Sequence, residues 1–270
     1  MSSKLKKIID ENKEHDNPEL DLVDRSITDL NDVPGLLNLE HLTRLTLSHN
    51  KLTEVPPEIL GLINIEKLNL FNNHIETLPT NMSNLTKLKT LNLGINRLKT
   101  LPRGFGAFPV LEVLDLTYNF LTENSLPGNF FCLETLRALY LGDNDFTLIP
   151  PEIGKFQNLQ ILSLRDNDLH TLPKEIGSLQ RVRELYIQGN RLSTLPPELG
   201  QLDLYGTKQI FRCENNPWVA LIGDQLQIGV SHVFEYIRSD KYRYLYGRHM
   251  EAKPEPAQRK TDRPKKYSKK

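Results

Sequence analysis

Seven asparagines recur along this chain at steps of 23, 23, 23, 25, 23 and 23 residues: Asn50, Asn73, Asn96, Asn119, Asn144, Asn167 and Asn190. Each sits in one frame: apolar, two free, apolar, one free, apolar, two free, Asn, one free, apolar. Leu42-Leu45-Leu47-Asn50-Leu52 and Leu159-Leu162-Leu164-Asn167-Leu169 show it without substitution. A fixed period of this length marks a stack of small units, none with enough apolar surface to form a core alone. Neighbours must share one core, so the expected product is a ribbon of coils with a long face made of strands.

This frame is the leucine-rich repeat. In Leu91-Asn92-Leu93 the two leucines point inward and the residue between them points out, as strand alternation requires. Parallel strands stacked about 4.8 Å apart place equivalent residues in columns. The other half of the repeat reads Leu-Pro-x-x-Ile/Phe-Gly, as in Leu101-Pro102-Arg103-Gly104-Phe105-Gly106 and Leu172-Pro173-Lys174-Glu175-Ile176-Gly177. Proline pre-sets that turn, and a short irregular or 3₁₀ helix returns the chain on the wider, convex side. The expected fold is therefore α/β: a solenoid with a curved parallel β-sheet on its concave face, short 3₁₀ or irregular helices on its convex face, and helical caps. An amide carries both donors and an acceptor, so the seven asparagines are expected to form a buried structural ladder.

The repeats decay at both ends. Leu20-Asp21-Leu22 and Ile27 fit the frame with Arg25 in the asparagine position, and Phe211-Arg212-Cys213 with Trp218 fits with Asn216 in register. Seven full repeats and one irregular turn at each end predict nine strands, since terminal coils lack a neighbour on one side. The expected organisation is an N-terminal amphipathic cap helix over 1–17 (Leu5, Ile8, Ile9), a solenoid over 18–218, a C-terminal helical cap over 219–250, and a disordered basic tail over 251–270. In the C-terminal cap Val230, Val233, Phe234 and Ile237 keep helical spacing and should cover the last repeat, with Trp218 beneath them. Tyr242, Tyr244, Leu245 and Tyr246 continue that aromatic region. The tail, rich in Lys, Arg and Pro, reads as solubilising, with a nuclear import signal or an anionic-lipid contact as the alternative. Two residues inserted near Glu123-Asn124-Ser125 lengthen one rim loop.

Charge and chemistry exclude several classes. Lys plus Arg (34) balances Asp plus Glu (34), so no net field favours nucleic acid. The N-terminal stretch is charged and unlike a signal peptide, and no run reaches the length of a membrane span, so an intracellular, soluble monomer without membrane insertion is expected. The sequons at Asn81 and Asn84 then carry no meaning. Gly104-Phe105-Gly106 is followed by Pro109 where a dinucleotide loop needs a third glycine. The histidines are scattered and the two cysteines share no metal spacing. Cys132 is expected to fill the core under the inserted loop, and Cys213 a strand core position. Asp143, Asp145, Asp166 and Asp168 read as an acidic rim and not a calcium loop. No cofactor, metal or catalytic set is expected.

The positions that the frame leaves free carry the recognition. The column between the strand leucines reads Asp21, Thr46, Asn69, Asn92, Asp115, Tyr140, Ser163, Tyr186 and Arg212. Flanking columns add Phe71, Val113, Thr117, Ile161 and Arg165, and the next holds His49, Asn72, Ile95, Tyr118, Asp143 and Asp166. Aromatic and apolar residues flanked by charge match the composition of protein interfaces, although β-propensity alone also favours Tyr, Val and Ile on strands. The expected binding set is Phe71, Asn92, Ile95, Asp115, Thr117, Tyr118, Tyr140, Asp143, Ile161, Arg165, Asp166 and Tyr186, centred on Asp115, Tyr140 and Arg165.

The 23-residue frame with Leu-Pro-x-x-Ile-Gly resembles the intracellular Ras-group class of leucine-rich repeat proteins. Within it, Leu114-Asp-Leu-Thr-Tyr-Asn119, Asn124-Ser-Leu-Pro-Gly-Asn-Phe-Phe131, Glu214-Asn-Asn-Pro-Trp218, Gly229-Val-Ser-His-Val-Phe-Glu-Tyr-Ile-Arg238 and Tyr244-Leu-Tyr-Gly-Arg-His-Met250 are similar to the Ras suppressor family. The last two stretches are the more specific because they lie outside the repeat. That resemblance implies a non-enzymatic adaptor, cytoplasmic and at cell-matrix adhesions, binding a LIM domain of PINCH on its concave face. Through PINCH it would join integrin-linked kinase and parvin and touch Ras-pathway signalling; the LIM zinc would belong to the partner. A regulatory subunit docking a phosphatase or a Ras-like GTPase is the competing expectation, because the fold alone does not choose the partner.

Overall fold

Three residues of each repeat extend into a strand, and the rest turn the chain back to begin the next coil. A computed structural model gives the structure of residues 2–252, with Glu255, Pro256 and Gln258. The basic tail expected over 251–270, with its candidate import signal, falls almost wholly outside these described residues. The strands are β1 Glu19–Asp21, β2 Arg44–Thr46, β3 Lys67–Asn69, β4 Thr90–Asn92, β5 Val113–Asp115, β6 Ala138–Tyr140, β7 Ile161–Ser163, β8 Glu184–Tyr186 and β9 Ile210–Arg212. The chain forms two compact units, Met1–Leu141 and Gly142–Lys270.

In the first unit β1 to β6 pair in parallel, in sequence order and with no register slip. Their central residues, Leu20, Leu45, Leu68, Leu91, Leu114 and Leu139, form one column and are all buried. Helix α1 (Ser2–Glu14) closes the open side of β1, burying Leu5 and Ile9 one turn apart while Ile8 is half-buried. The buried Asn12 fastens it: its amide donates to the carbonyls of Asn17 (3.1 Å) and Glu19 (3.0 Å), and its oxygen meets His41 Nε2 at 2.9 Å. That tie had no sequence signal, since Asn12 lies outside the repeat frame.

In the second unit β7, β8 and β9 pair in the same way. Three helices follow: α2 Ala220–Ile228, α3 Val230–Arg238 and α4 Asp240–Glu251. Val233, Phe234 and Ile237 are fully buried, and the Phe234 ring lies 5.3 Å from Phe211 and 5.6 Å from Tyr205. Arg238 Nε donates to the Gly200 carbonyl at 2.6 Å, and the buried Tyr242 hydroxyl donates to the Leu195 carbonyl at the same distance. Val230 and Trp218 are both half-buried, and with Leu226 they line one cavity between the last coil and the cap. The cap rests on Phe211 and the Pro197–Gln201 turn, while the indole N–H of Trp218 is held by the Cys213 carbonyl at 3.0 Å.

The repeat asparagines sit at the corners where strands end. Asn50 accepts the N–H groups of Arg25 and Ile27 (both 3.0 Å) and donates to the carbonyls of Leu22 (2.8 Å) and Leu47 (2.9 Å). Asn119, 1% exposed, accepts from Leu98 N–H at 2.9 Å and donates to Leu93 (3.0 Å) and Leu116 (3.1 Å) carbonyls. In the second unit Asn190 and Asn216 repeat the arrangement. Each amide therefore bonds to its own coil and to the one before it.

On the turn side, the glycine of Leu-Pro-x-x-Ile/Phe-Gly has a steric cause. A Cβ on Gly106 would collide with the Asn129 carbonyl, and one on Gly177 with the Glu198 carbonyl. The inserted residues form a 3₁₀ turn, Glu123–Ser125, in which Ser125 Oγ accepts from Thr122 N–H at 2.9 Å and donates to the Lys99 carbonyl at 2.6 Å. The insertion is thus bonded back onto the preceding coil. Cys132, expected in the core, is exposed. It closes the 3₁₀ turn Phe130–Cys132, where Phe130 and Leu133, three apart, eclipse and face inward with Phe131, leaving Cys132 outward.

Replacing Asn119 with Ala leaves the buried Leu98 N–H without an acceptor and should cost about 1–3 kcal/mol of unfolding free energy, read by chemical denaturation. Burial pushes the Cys213 thiol up to about 12, with the Glu214 charge adding to it. In the native protein a thiol reagent should therefore modify Cys132 quickly and Cys213 only after unfolding. Equal rates at both cysteines would contradict this placement.

Candidate protein-interaction face

The outward strand residues and the corner after each strand form the candidate site, described for each unit separately. In the first unit the column between the strand leucines does local work. Asn69, Asn92 and Asp115 each turn a side-chain oxygen onto the N–H two residues on: Phe71 at 3.0 Å, Gly94 at 2.9 Å and Thr117 at 2.9 Å. These are Asx turns, which end the strand by offering the backbone a side-chain acceptor. Asn92 and Asp115 therefore have a structural duty beside any recognition. The run of Asp and Asn in one column was a signal for it.

The structure gathers Phe71, Asn92 and Asp115 around Gly94, and pairs Asp115 with Tyr140 in the strand register. Phe71 also packs edge-on against His49, with centroids 5.6 Å apart, and His49 Nδ1 meets Asn72 Nδ2 at 2.8 Å. Thr117 contributes its N–H to Asp115, and its half-buried side chain lies on the same face. Phe71, Asn92, Ile95, Asp115, Thr117, Tyr118 and Tyr140 are all half-buried, so each keeps one side toward solvent.

Ile95 and Tyr118 occupy a special position. Every residue in their column is left-handed: His49 (φ 57°), Asn72 (53°), Ile95 (53°) and Tyr118 (57°), and in the second unit Asp143 and Asp166 (both 53°) with Gly189 (69°). The N–H of this residue bonds to the next coil, as Ile95 does to the Thr117 carbonyl at 2.8 Å, and the chain then reverses so that the ladder asparagine turns inward. Asn, Asp and Gly tolerate this conformation. A β-branched isoleucine does not, and carries a penalty of about 1–2 kcal/mol.

In the second unit Arg165 collects the charge. Its guanidinium meets Asp143 Oδ2 at 3.0 Å and Asp166 Oδ2 at 3.1 Å. Its stem lies across Gly142, where a Cβ would come within 2.8 Å of Arg165 Cγ. Half-exposed pairs of this kind add little stability, but two carboxylates and a glycine floor hold the guanidinium in one place. Tyr186 donates its hydroxyl to Glu184 Oε2 at 2.8 Å, and Ile161 lies opposite Glu184 in the strand register. Gly94, Gly142 and Glu184 shape the face but were absent from the expected set, because a glycine or a flanking charge in a free column reads as neutral in one dimension.

Among the described residues no group of three or more His, Cys, Asp or Glu side chains is placed to hold a metal ion, and no helix is long and apolar enough to cross a membrane.

Comparison with known proteins follows the same lines. A family model described as "Leucine-rich repeat region" matches residues 104–205, and one described as "Leucine rich repeat" matches 40–98 and 63–121. Over all 270 residues the chain is 69% identical to Ras suppressor protein 1 of Homo sapiens, 68% to that of Bos taurus and 64% to that of Mus musculus, covering 98% of each relative.

The strained corner makes a stability test. Ile95→Asn installs the residue type of the neighbouring corner at Asn72, and should leave unfolding free energy unchanged or raise it by up to about 1 kcal/mol. A loss larger than that in urea denaturation would show that Ile95 is held by packing and not by a need of the surface.

Proposed function

This chain belongs to the Ras suppressor protein family, a leucine-rich repeat group built for protein interaction, and from that premise we propose that it is a non-enzymatic adaptor whose strand face binds a LIM domain of PINCH. Through PINCH it would join integrin-linked kinase and parvin at cell-matrix adhesions and couple them to Ras-pathway signalling. The observation that carries this reading is the character of the free positions. Tyr140 and Phe71 put aromatic surface beside the Asp115 carboxylate, Tyr118 adds a half-buried ring at the corner after that strand, and on the second unit Arg165 stands between two carboxylates. Half-buried aromatic anchors beside oriented charge are what a folded protein partner uses. A LIM domain suits such a face because it is small and rigid, and its zinc comes with it, so this chain needs no metal of its own.

On the first unit the proposed contacts are Phe71, Asn92, Ile95, Asp115, Thr117, Tyr118 and Tyr140, with Tyr140 and Asp115 the expected hot spots. On the second unit, taken by itself, they are Asp143, Ile161, Arg165, Asp166 and Tyr186, with Arg165 the expected hot spot. The competing reading is a regulatory subunit that docks a phosphatase or a Ras-like GTPase, since the fold alone does not choose the partner.

Capture of a PINCH LIM fragment, of GTP-loaded Ras and of a phosphatase catalytic subunit by the full chain separates these readings. The adaptor reading requires selective capture of the LIM fragment. Tyr140→Ala should weaken that capture by about 2 kcal/mol or more while leaving the melting temperature unchanged. Capture of Ras or phosphatase in place of the LIM fragment would overturn it.

A further inference from the structure

β9 is the last strand of the second unit, and β8 pairs with it on one side. Each coil of that unit reaches the next through the same backbone groups. Ile187 N–H donates to the Arg212 carbonyl at 2.8 Å, Gly189 N–H to the Glu214 carbonyl at 3.0 Å, and the Arg183 carbonyl accepts from Ile210 N–H at 2.8 Å. One coil later the equivalent groups are Cys213 N–H, Asn215 N–H and the Gln209 carbonyl. None of these has a hydrogen-bond partner among the described residues. Phe211, opposite Leu185 in the register, turns its N–H and carbonyl the same way by the alternation of a parallel ladder.

The first edge strand is closed by side chains. Asn17 Oδ1 accepts Glu19 N–H at 3.0 Å, and Asn12 Nδ2 donates to the Glu19 carbonyl at 3.0 Å. At β9 the corner alone has a substitute for the missing coil. Trp218 Nε1 donates to the Cys213 carbonyl at 3.0 Å, the place that Asn216 Nδ2 takes on the Ile187 carbonyl at 2.9 Å. The strand N–H groups have no such replacement. They border the cavity between the last coil and the cap, about 740 Å³, whose apolar walls are Phe211, Trp218, Leu226 and Val230. An unpaired ladder edge beside an apolar slot is a template for another strand.

We propose that an extended segment of a protein partner adds to this edge as a further strand, parallel to β9. In the register of the existing coils its carbonyls take the N–H groups of Phe211, Cys213 and Asn215, and its own N–H groups reach the Gln209 and Phe211 carbonyls. Every second side chain then turns inward, toward Trp218 and Leu226. The segment therefore reads x-apolar-x-apolar-x, the pattern of the repeat strand itself. A helix has its backbone paired internally and offers this edge nothing. A charged residue at an inward position would be desolvated without a partner. The edge is distinct from the outward columns, so the proposal holds whether or not the strand face takes a LIM domain.

The test uses the isotope-labelled full chain and a blocked peptide with the sequence of residues 90–94, Thr-Leu-Asn-Leu-Gly. In the chain alone, the amides of Cys213 and Asn215 should exchange with solvent at least about tenfold faster than those of Ile187 and Gly189. The peptide should shift the amides of Phe211, Cys213 and Asn215 in a saturable way and slow their exchange. It should also move the emission of Trp218, the single tryptophan, to shorter wavelength. Two analogues should do neither: one N-methylated at asparagine, which loses a ladder donor, and one with serine for both leucines. Gly223 lines the same cavity, and a Cβ there meets nothing within 4 Å. Gly223→Leu should therefore fill the slot and abolish the shifts without lowering the melting temperature. Slow exchange at Cys213 and Asn215 in the chain alone, no shift with the peptide in large excess, or equal shifts with either analogue would overturn the proposal. So would a dimer in sedimentation whose formation protects the same amides, since the edge would then belong to a second copy.

Discussion

A buried side-chain amide that bonds to two successive coils is the interaction on which the rest of this structure depends. A coil of 23 residues has a three-residue strand and a few leucines, too little to hold itself. The asparagine at its corner satisfies backbone groups of its own coil and of the preceding one, as Asn50 does with Leu47 on one side and Leu22, Arg25 and Ile27 on the other. With those groups paired, the corner can be tight and dry, and the leucine columns can meet without a polar gap. Alanine in its place keeps the shape of the turn and removes what makes it affordable in a low-dielectric interior.

The same corner decides what the surface offers. Because the chain must pass through a left-handed residue before the asparagine turns inward, every coil presents one side chain there that the frame does not choose. Most coils fill it with Asn, Asp or Gly, which accept the conformation. Ile95 and Tyr118 depart from that rule in adjacent coils, the ones that carry Asn92 and Asp115 on their strands. Strain that the fold does not require, on coils that also carry half-buried aromatic residues, is the kind of departure from the local rules of a scaffold that the proposed binding role would explain.

Periodicity made the repeat, its nine strands and the inward leucines legible, because strand alternation allows only one side of each three-residue strand to be apolar throughout. It could not reveal contacts between residues outside the frame. Asn12 joining α1 to β1, Tyr242 reaching the Leu195 backbone and the capping turn at Glu123–Ser125 all depend on where separate segments happen to meet. Cys132 was misplaced for a related reason. A 3₁₀ turn can point only some of its residues inward, and two phenylalanines and a leucine took those directions. Asn92 and Asp115 show the opposite case: their Asx turns were readable from the column they share, yet outward polarity drew attention to recognition first.

The sequence by itself determined the coil, its length, its buried amide and the list of positions free to vary, since these follow from side-chain period and hydrogen-bonding capacity alone. Only the tertiary structure decided which free positions act together. Phe71, Asn92 and Asp115 come from three different coils and meet because Gly94 contributes no side chain between them. Arg165 is fixed because Gly142 leaves it a floor, and Asp143 and Asp166 flank it. Such groupings are set by distances between coils and by the space that small residues leave empty, and neither quantity is written in the order of residues along one strand.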